Sequence, residues 1–216
     1  MRTKIVLVLV ALCMAAGMAV QGGEVIKDGL VDSDKVAEKQ FKQALKKEQK
    51  DKEYSLQVYE RLANGGYAPA QYKLYELGKG EEWREKAALG GVSEAITPVL
   101  ESYIKQYDDV INHGRKCLDN VKKGVVDTKE ITAFEKELRE VSTSIDKKIS
   151  TISNGMWALT PKNIYYLPGY KKMSKNDFIA LSARRFASFD VYQKEIGEKI
   201  DRCYKIFEEI QKRTKK

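Results

Sequence analysis

The sequence predicts an all-α protein, with short α-hairpin repeats followed by a bundle of long amphipathic helices. Three observations carry this. An A-x-G-G-x-x-x-A pattern in Ala63–Ala70 returns in Ala88–Ala95, 25 residues later. Beyond Pro98 the apolar residues recur at spacings of three and four, the period of one helix face. No segment shows the alternation of a half-buried strand.

The chain opens with Arg2 and Lys4, an apolar run from Ile5 to Ala16, then Gly17-Met18-Ala19 with small residues where a signal peptidase reads. This predicts an export signal over 1–19 and a periplasmic or secreted protein. The run is short for a membrane span, which needs about 20 apolar residues. Lipid anchoring at Cys13 is the less favoured alternative, because Leu12 stands where a small residue is required. Residues 20–32 contain glycine, are weakly patterned, and are expected to form a linker.

Residues 33–106 form the predicted repeat region. Val36, Phe41 and Leu45, then Leu56, Val58, Tyr59 and Leu62, suit two amphipathic helices. The charged run Lys46–Lys52 is expected to be their solvated face, and no specific nucleic acid is expected. The repeat itself then follows. Tyr67-Ala68-Pro69-Ala70-Gln71-Tyr72-Lys73-Leu74 and Trp83-Arg84-Glu85-Lys86-Ala87-Ala88-Leu89-Gly90-Gly91 resemble the Sel-one-like repeat, a relative of the tetratricopeptide repeat. Trp83, Lys86, Ala87, Ala88, Gly91 and Ala95 match one part of its pattern, and Ala70, Gln71, Tyr72 and Leu74 the other. The resemblance covers about residues 55–105, with a shortened interhelix loop at Leu77–Gly80. It implies an α-hairpin scaffold for protein complexes with no catalytic residues, and a partner-binding groove around Tyr67, Tyr72, Tyr75 and Trp83. Proline in a helix interior costs about 3 kcal/mol, so the helix after Gly91 is expected to start late, with Thr97 as cap and Pro98 in the first turn.

Residues 107–216 are predicted to be a C-terminal helical bundle. Leu100, Tyr103, Tyr107, Val110, Gly114, Cys117 and Val121 share one stripe, closed by Lys122-Lys123-Gly124. Asp127 with Glu130 three residues on opens the next helix as an acidic capping box. Ile131, Phe134, Leu138, Val141, Ile145 and Ile152 form a heptad-like, coiled-coil seam, which Asn154-Gly155 is expected to end. Ser174 with Asp177 announces a third helix, whose stripe carries Phe178, Leu181, Phe189, Tyr192, Ile196, Ile200, Cys203, Phe207 and Ile210. The segment between, 155–173, is a predicted basic aromatic loop, long enough without evident structure to be functional.

The 39 Lys and Arg outnumber 31 Asp and Glu, for a net +8; losing Arg2 and Lys4 with the signal lowers this to about +6. Most of the excess lies between Lys162 and Arg185. Lys162, Lys171, Lys172, Lys175, Arg184 and Arg185, with Tyr165, Tyr166 and Tyr170, would suit an anionic envelope polymer such as a glycan or peptidoglycan. Alternatively the aromatics cover the open end of the bundle. Cys117 and Cys203 both fall on apolar stripes, where an export compartment favours a disulfide and burial alone favours two free thiols.

No G-x-S-x-G elbow, H-E-x-x-H, P-loop or dinucleotide fingerprint occurs. Adjacent acids such as Asp108-Asp109 and Glu208-Glu209 diverge by about 100° on a helix and cannot act on one bond. The lone His113, with Cys117 at i+4, makes at most half a metal site. The expectation is therefore a non-catalytic scaffold or adaptor of the cell envelope that binds another protein, without cofactor or metal. Polymer binding is the alternative, and the heptad seams would also permit a homodimer.

Overall fold

The computed structural model describes residues 27–158 and 174–215, so the predicted signal, Cys13 and most of the 155–173 loop lie outside the described residues. Among the described residues the chain is helical throughout, without strands. The helices are α1 (Lys27–Lys47), α2 (Lys52–Asn64), α3 (Ala68–Glu76), α4 (Glu81–Leu89), α5 (Ser93–Lys122), α6 (Thr128–Ala158) and α7 (Lys175–Thr214). None is long and apolar enough to cross a membrane. Residues 37–216 make one contact unit and 1–36 another. The predicted linker ends inside α1, which is already helical at Lys27. The predicted boundary at 106/107 falls within α5, a single helix of 30 residues.

One turn is used four times. The amides of Tyr67, Lys79, Val92 and Val125 donate back to the carbonyls of Leu62, Leu74, Ala87 and Asn120, at 3.0, 3.0, 3.0 and 2.9 Å. Each turn pivots on a glycine of positive φ, namely Gly66, Gly78, Gly91 or Gly124. This six-to-one bond is the Schellman motif, which satisfies carbonyls that a helix end leaves open. The repeated glycine pair in the sequence is thus a repeated helix stop, and it folds α2–α3 and α4–α5 into hairpins.

The helices bury two apolar clusters. Phe41 and Ala44 of α1, Val58, Tyr59 and Leu62 of α2, and Ala70 and Leu74 of α3 make the first. Its buried polar groups are paired: Ser55 donates to the Ala44 carbonyl at 2.9 Å and Gln71 to the Ala63 carbonyl at 3.1 Å. The second runs from Ala87 and Ala88 along α5 into α6 and α7. Every residue of the α5 stripe predicted from sequence is buried.

Side-chain pairings give the bundle its sense. Tyr192 donates to Glu101 at 3.0 Å and Lys199 pairs with Asp108, both 91 residues apart, so α7 runs parallel to α5. Glu137 meets His113 while Lys148 lies over the Tyr103 ring, so α6 runs antiparallel to both. The result is an up-down-up three-helix bundle.

Two sequence expectations are corrected here, and one of two open readings is selected for the cysteines. The helix after Gly91 starts at Ser93, so Pro98 is its sixth residue and Thr97 caps nothing. The Gly91 turn fixes that start, and burial of Val92, Ala95 and Ile96 outweighs the missing hydrogen bond. Gly155 does not end α6, which continues to Ala158. It is there because a Cβ would collide with the Gly91 amide and the Leu89 carbonyl. Cys117 and Cys203 are free, buried thiols. The parallel register places Cys203 opposite Asn112, five residues before Cys117, an axial offset of about 7.5 Å before the separation of the helix axes is added, and bridged Cα atoms lie within about 7 Å.

Candidate functional site

The four aromatic residues expected to line one groove divide between two environments. Tyr67 sits edge-on to Phe41 at 5.6 Å and packs against the first cluster. Trp83 packs there too, with the Lys86 ammonium 4.0 Å above its ring. Tyr72 instead packs against the second cluster, and Tyr75 tilts over it at 5.8 Å. The candidate surface is therefore built on Tyr72 and Tyr75, with Trp83 and Tyr67 acting mainly as packing.

Sequence reasoning missed the charged residues that complete this surface. Arg84, on α4, lies 5.1 Å from the Tyr75 ring centre and donates to its hydroxyl at 3.3 Å. Stacked and hydrogen-bonded, a guanidinium is held more firmly than an ammonium would be. The Glu81 carboxylate pairs with its other end. Glu76 of α3 and Glu94 of α5 add negative charge around Tyr72. Burial, then Glu76 and Glu94, raises the Tyr72 phenol above its ordinary range, while Arg84 opposes the shift. Burial also raises the Glu76 carboxyl, against the pull of Lys73. Two polar atoms here are buried without a hydrogen-bond partner, Arg84 Nε and Glu94 Oε2. A buried unpaired polar group costs about 1–3 kcal/mol. The only sequence signal for Arg84 was its place beside Trp83 in a repeat whose hairpin returns it to Tyr75.

The basic segment resolves differently. Lys162, Tyr165, Tyr166, Tyr170, Lys171 and Lys172 lie outside the described residues, and Lys175 is the first residue of α7. The two arginines part company. Arg185 turns inward and donates to the Gly91 carbonyl at 2.8 Å, so it ties α7 to the α4–α5 turn. Arg184 is exposed and edges a shallow groove floored by Ile96, Leu100, Met156 and Phe189. The capping box that starts α7 is complete, with Ser174 and Asp177 each accepting the other's backbone amide.

The thiols are unreactive in kind. Burial pushes Cys203 up to about 11, and burial followed by Glu130 raises Cys117. Tyr107, buried in the bundle core, is pushed up to about 12 by the same desolvation. None of these groups is poised as a nucleophile near neutral pH.

Comparison of the chain with protein-family models, with curated proteins and with solved structures returned no match. The class shown is that of an all-α protein of short hairpins continuing into a three-helix bundle.

Proposed function

We propose that the chain is an exported, non-catalytic scaffold of the cell envelope that binds another protein through the Tyr72–Tyr75–Arg84 face of its hairpins. One observation supports it most. Two short helices bring half-buried tyrosines and an arginine together, with the Arg84 guanidinium 5.1 Å from the Tyr75 ring centre and hydrogen-bonded to its hydroxyl. Tyrosine and arginine are enriched among the residues that carry the energetics of protein interfaces. The hairpins themselves resemble Sel-one-like repeats, and such scaffolds bind along the faces that stacked hairpins present. Export rests on the charged and apolar pattern of residues 1–19, within a chain whose described helices include no membrane span.

Polymer binding is the second reading, supported by the exposed Arg184 at the end of a cation-rich segment. Ionic strength separates the two. Binding by clustered cations weakens steeply as salt rises, whereas a largely apolar and stacked contact persists. Capture from an envelope extract by the wild-type chain and by Tyr75→Ala and Arg84→Ala, at low and high salt, tests this. A defined protein that survives high salt and is lost in both variants supports the scaffold. Polymer that is released by salt and insensitive to both variants supports the alternative.

A further inference from the structure

We propose that His113, Cys117 and Glu130 form a zinc site at the seam of α5 and α6, with Glu137 holding the imidazole from behind. His113 and Cys117 stand one turn apart on α5, so they share a face. The antiparallel α6 brings Glu130 to that face from its first turn. The donor atoms of these three residues all lie within 4.8 Å of one another.

The geometry is close to a tetrahedral centre. Zinc bonds of about 2.0–2.3 Å place neighbouring donor atoms about 3.3–3.6 Å apart. His113 Nε2 and Glu130 Oε1 are already 3.1 Å apart. The Cys117 thiol donates to the Glu130 main-chain carbonyl at 3.9 Å, and its sulfur lies within 4.8 Å of the other two donor atoms. Closing to a bonding separation takes at most about 1.2 Å, within reach of a side-chain rotation. Three protein donors of nitrogen, sulfur and oxygen type leave the fourth position for water. A thiolate and a carboxylate together neutralise the charge of a divalent ion. On binding, the Cys117 thiol proton leaves to solvent and His113 Nε2 offers its lone pair to the metal.

The surroundings suit a metal ligand as well. Glu137 pairs with His113 Nδ1, the carboxylate–histidine arrangement that fixes the tautomer and points Nε2 at a metal. Phe134 stands edge-on to the imidazole at 5.7 Å and occupies the space that Gly114, lacking a Cβ, leaves open. Asp127 accepts the Lys129 and Glu130 amides at 3.0 and 3.2 Å, but the Glu130 side chain faces His113. Hydrogen bonds to the imidazole bring in the two carboxylates, and the Cys117 thiol, anchored on the Glu130 main-chain carbonyl, completes a set of nitrogen, sulfur and oxygen donors. Glu130 is 54 % exposed and His113 22 %, which opens the site to solvent on the Glu130 side.

The test uses the full chain, stripped with a chelator and titrated with Zn2+ against a chromophoric competitor, then with Co2+ as the spectroscopic probe. One ion per chain is expected, with a thiolate-to-cobalt charge-transfer band that Cys117→Ser removes. Glu137→Gln, a positioning change, should weaken zinc by about 10–100-fold, and His113→Gln and Glu130→Gln should weaken it further. Absence of stoichiometric zinc and cobalt binding overturns the proposal. So does affinity unchanged in Glu130→Gln, an exposed position where the helical circular dichroism should match wild type.

Discussion

Gly91 meets three demands at once. Its φ of +83° closes the α4–α5 turn, its carbonyl accepts the Arg185 guanidinium, and a Cβ there would land on the Gly155 carbonyl. Gly66, its counterpart in the repeat, has a φ of +89° but nothing within 4 Å of a Cβ. Gly66→Ala should therefore cost only the left-handed strain, about 1–2 kcal/mol. Gly91→Ala should add a backbone collision and cost about 3–5 kcal/mol. Gly155→Ala gives the sharpest sign. In an open helix the change would stabilise by about 1 kcal/mol, whereas contact with Gly91 should make it destabilising by about 1–3 kcal/mol. Urea unfolding of the three variants measures all of these, and a stabilised Gly155→Ala would refute the contact.

At the scale of elements, α5 carries the most informative irregularity. Pro98 removes the amide that would reach the Glu94 carbonyl, yet the helix runs through it. Pro98→Ala should restore that bond and raise stability by about 1–2 kcal/mol, after allowing for the greater freedom of the unfolded chain. A lower urea midpoint in that variant would show that the proline ring packs favourably where it stands. The same element shows what sequence carries and what it hides. The stripe from Leu100 to Val121, the repeated glycine pair and the stop at Gly124 were legible, because period and turn chemistry are local. The start at Ser93 was not, since local rules weigh the proline and cannot weigh burial of Val92, Ala95 and Ile96. Gly155 was misjudged for a related reason: a late helical glycine means a stop or a close approach, and only the tertiary neighbour distinguishes them. His113 looked like half a site because its other half, Glu130 and Glu137, belongs to a different helix. Arg84 was overlooked because its partner Tyr75 lies across a turn, and Arg185 was read as a free cation because its acceptor is 94 residues away.

Across residues 37–216, helices from the hairpins and the bundle are joined at Glu85. Its carboxylate accepts from Tyr103 at 2.9 Å and pairs with Lys148 at 2.7 Å, linking α4, α5 and α6. Burial raises the Glu85 carboxyl, but the hydrogen bonds from Lys148 and Tyr103 and the lysine charge outweigh it, leaving the group below its ordinary range. A carboxyl depressed in the folded state stabilises above its unfolded pKa and loses that contribution as pH falls through the folded value. Because Glu85 and Lys148 are each about a third exposed, the effect at neutral pH should be about 1 kcal/mol. Glu85→Gln should lower stability by that amount at pH 7 and lose less on acidification below the ordinary carboxylate range; equal acid sensitivity in both chains would contradict the linkage.

The scaffold proposal places its partner on the Tyr72–Tyr75–Arg84 face and away from Arg184. Site-specific photo-cross-linking in cells that export the chain tests this most directly, with a benzophenone side chain at position 79, an exposed turn residue four beyond Tyr75, in one chain and at position 184 in another. A discrete protein adduct is expected from position 79 that Arg84→Ala suppresses, with little from position 184. Adducts arising from position 184 alone, or an adduct at 79 indifferent to Arg84→Ala, would contradict the scaffold reading.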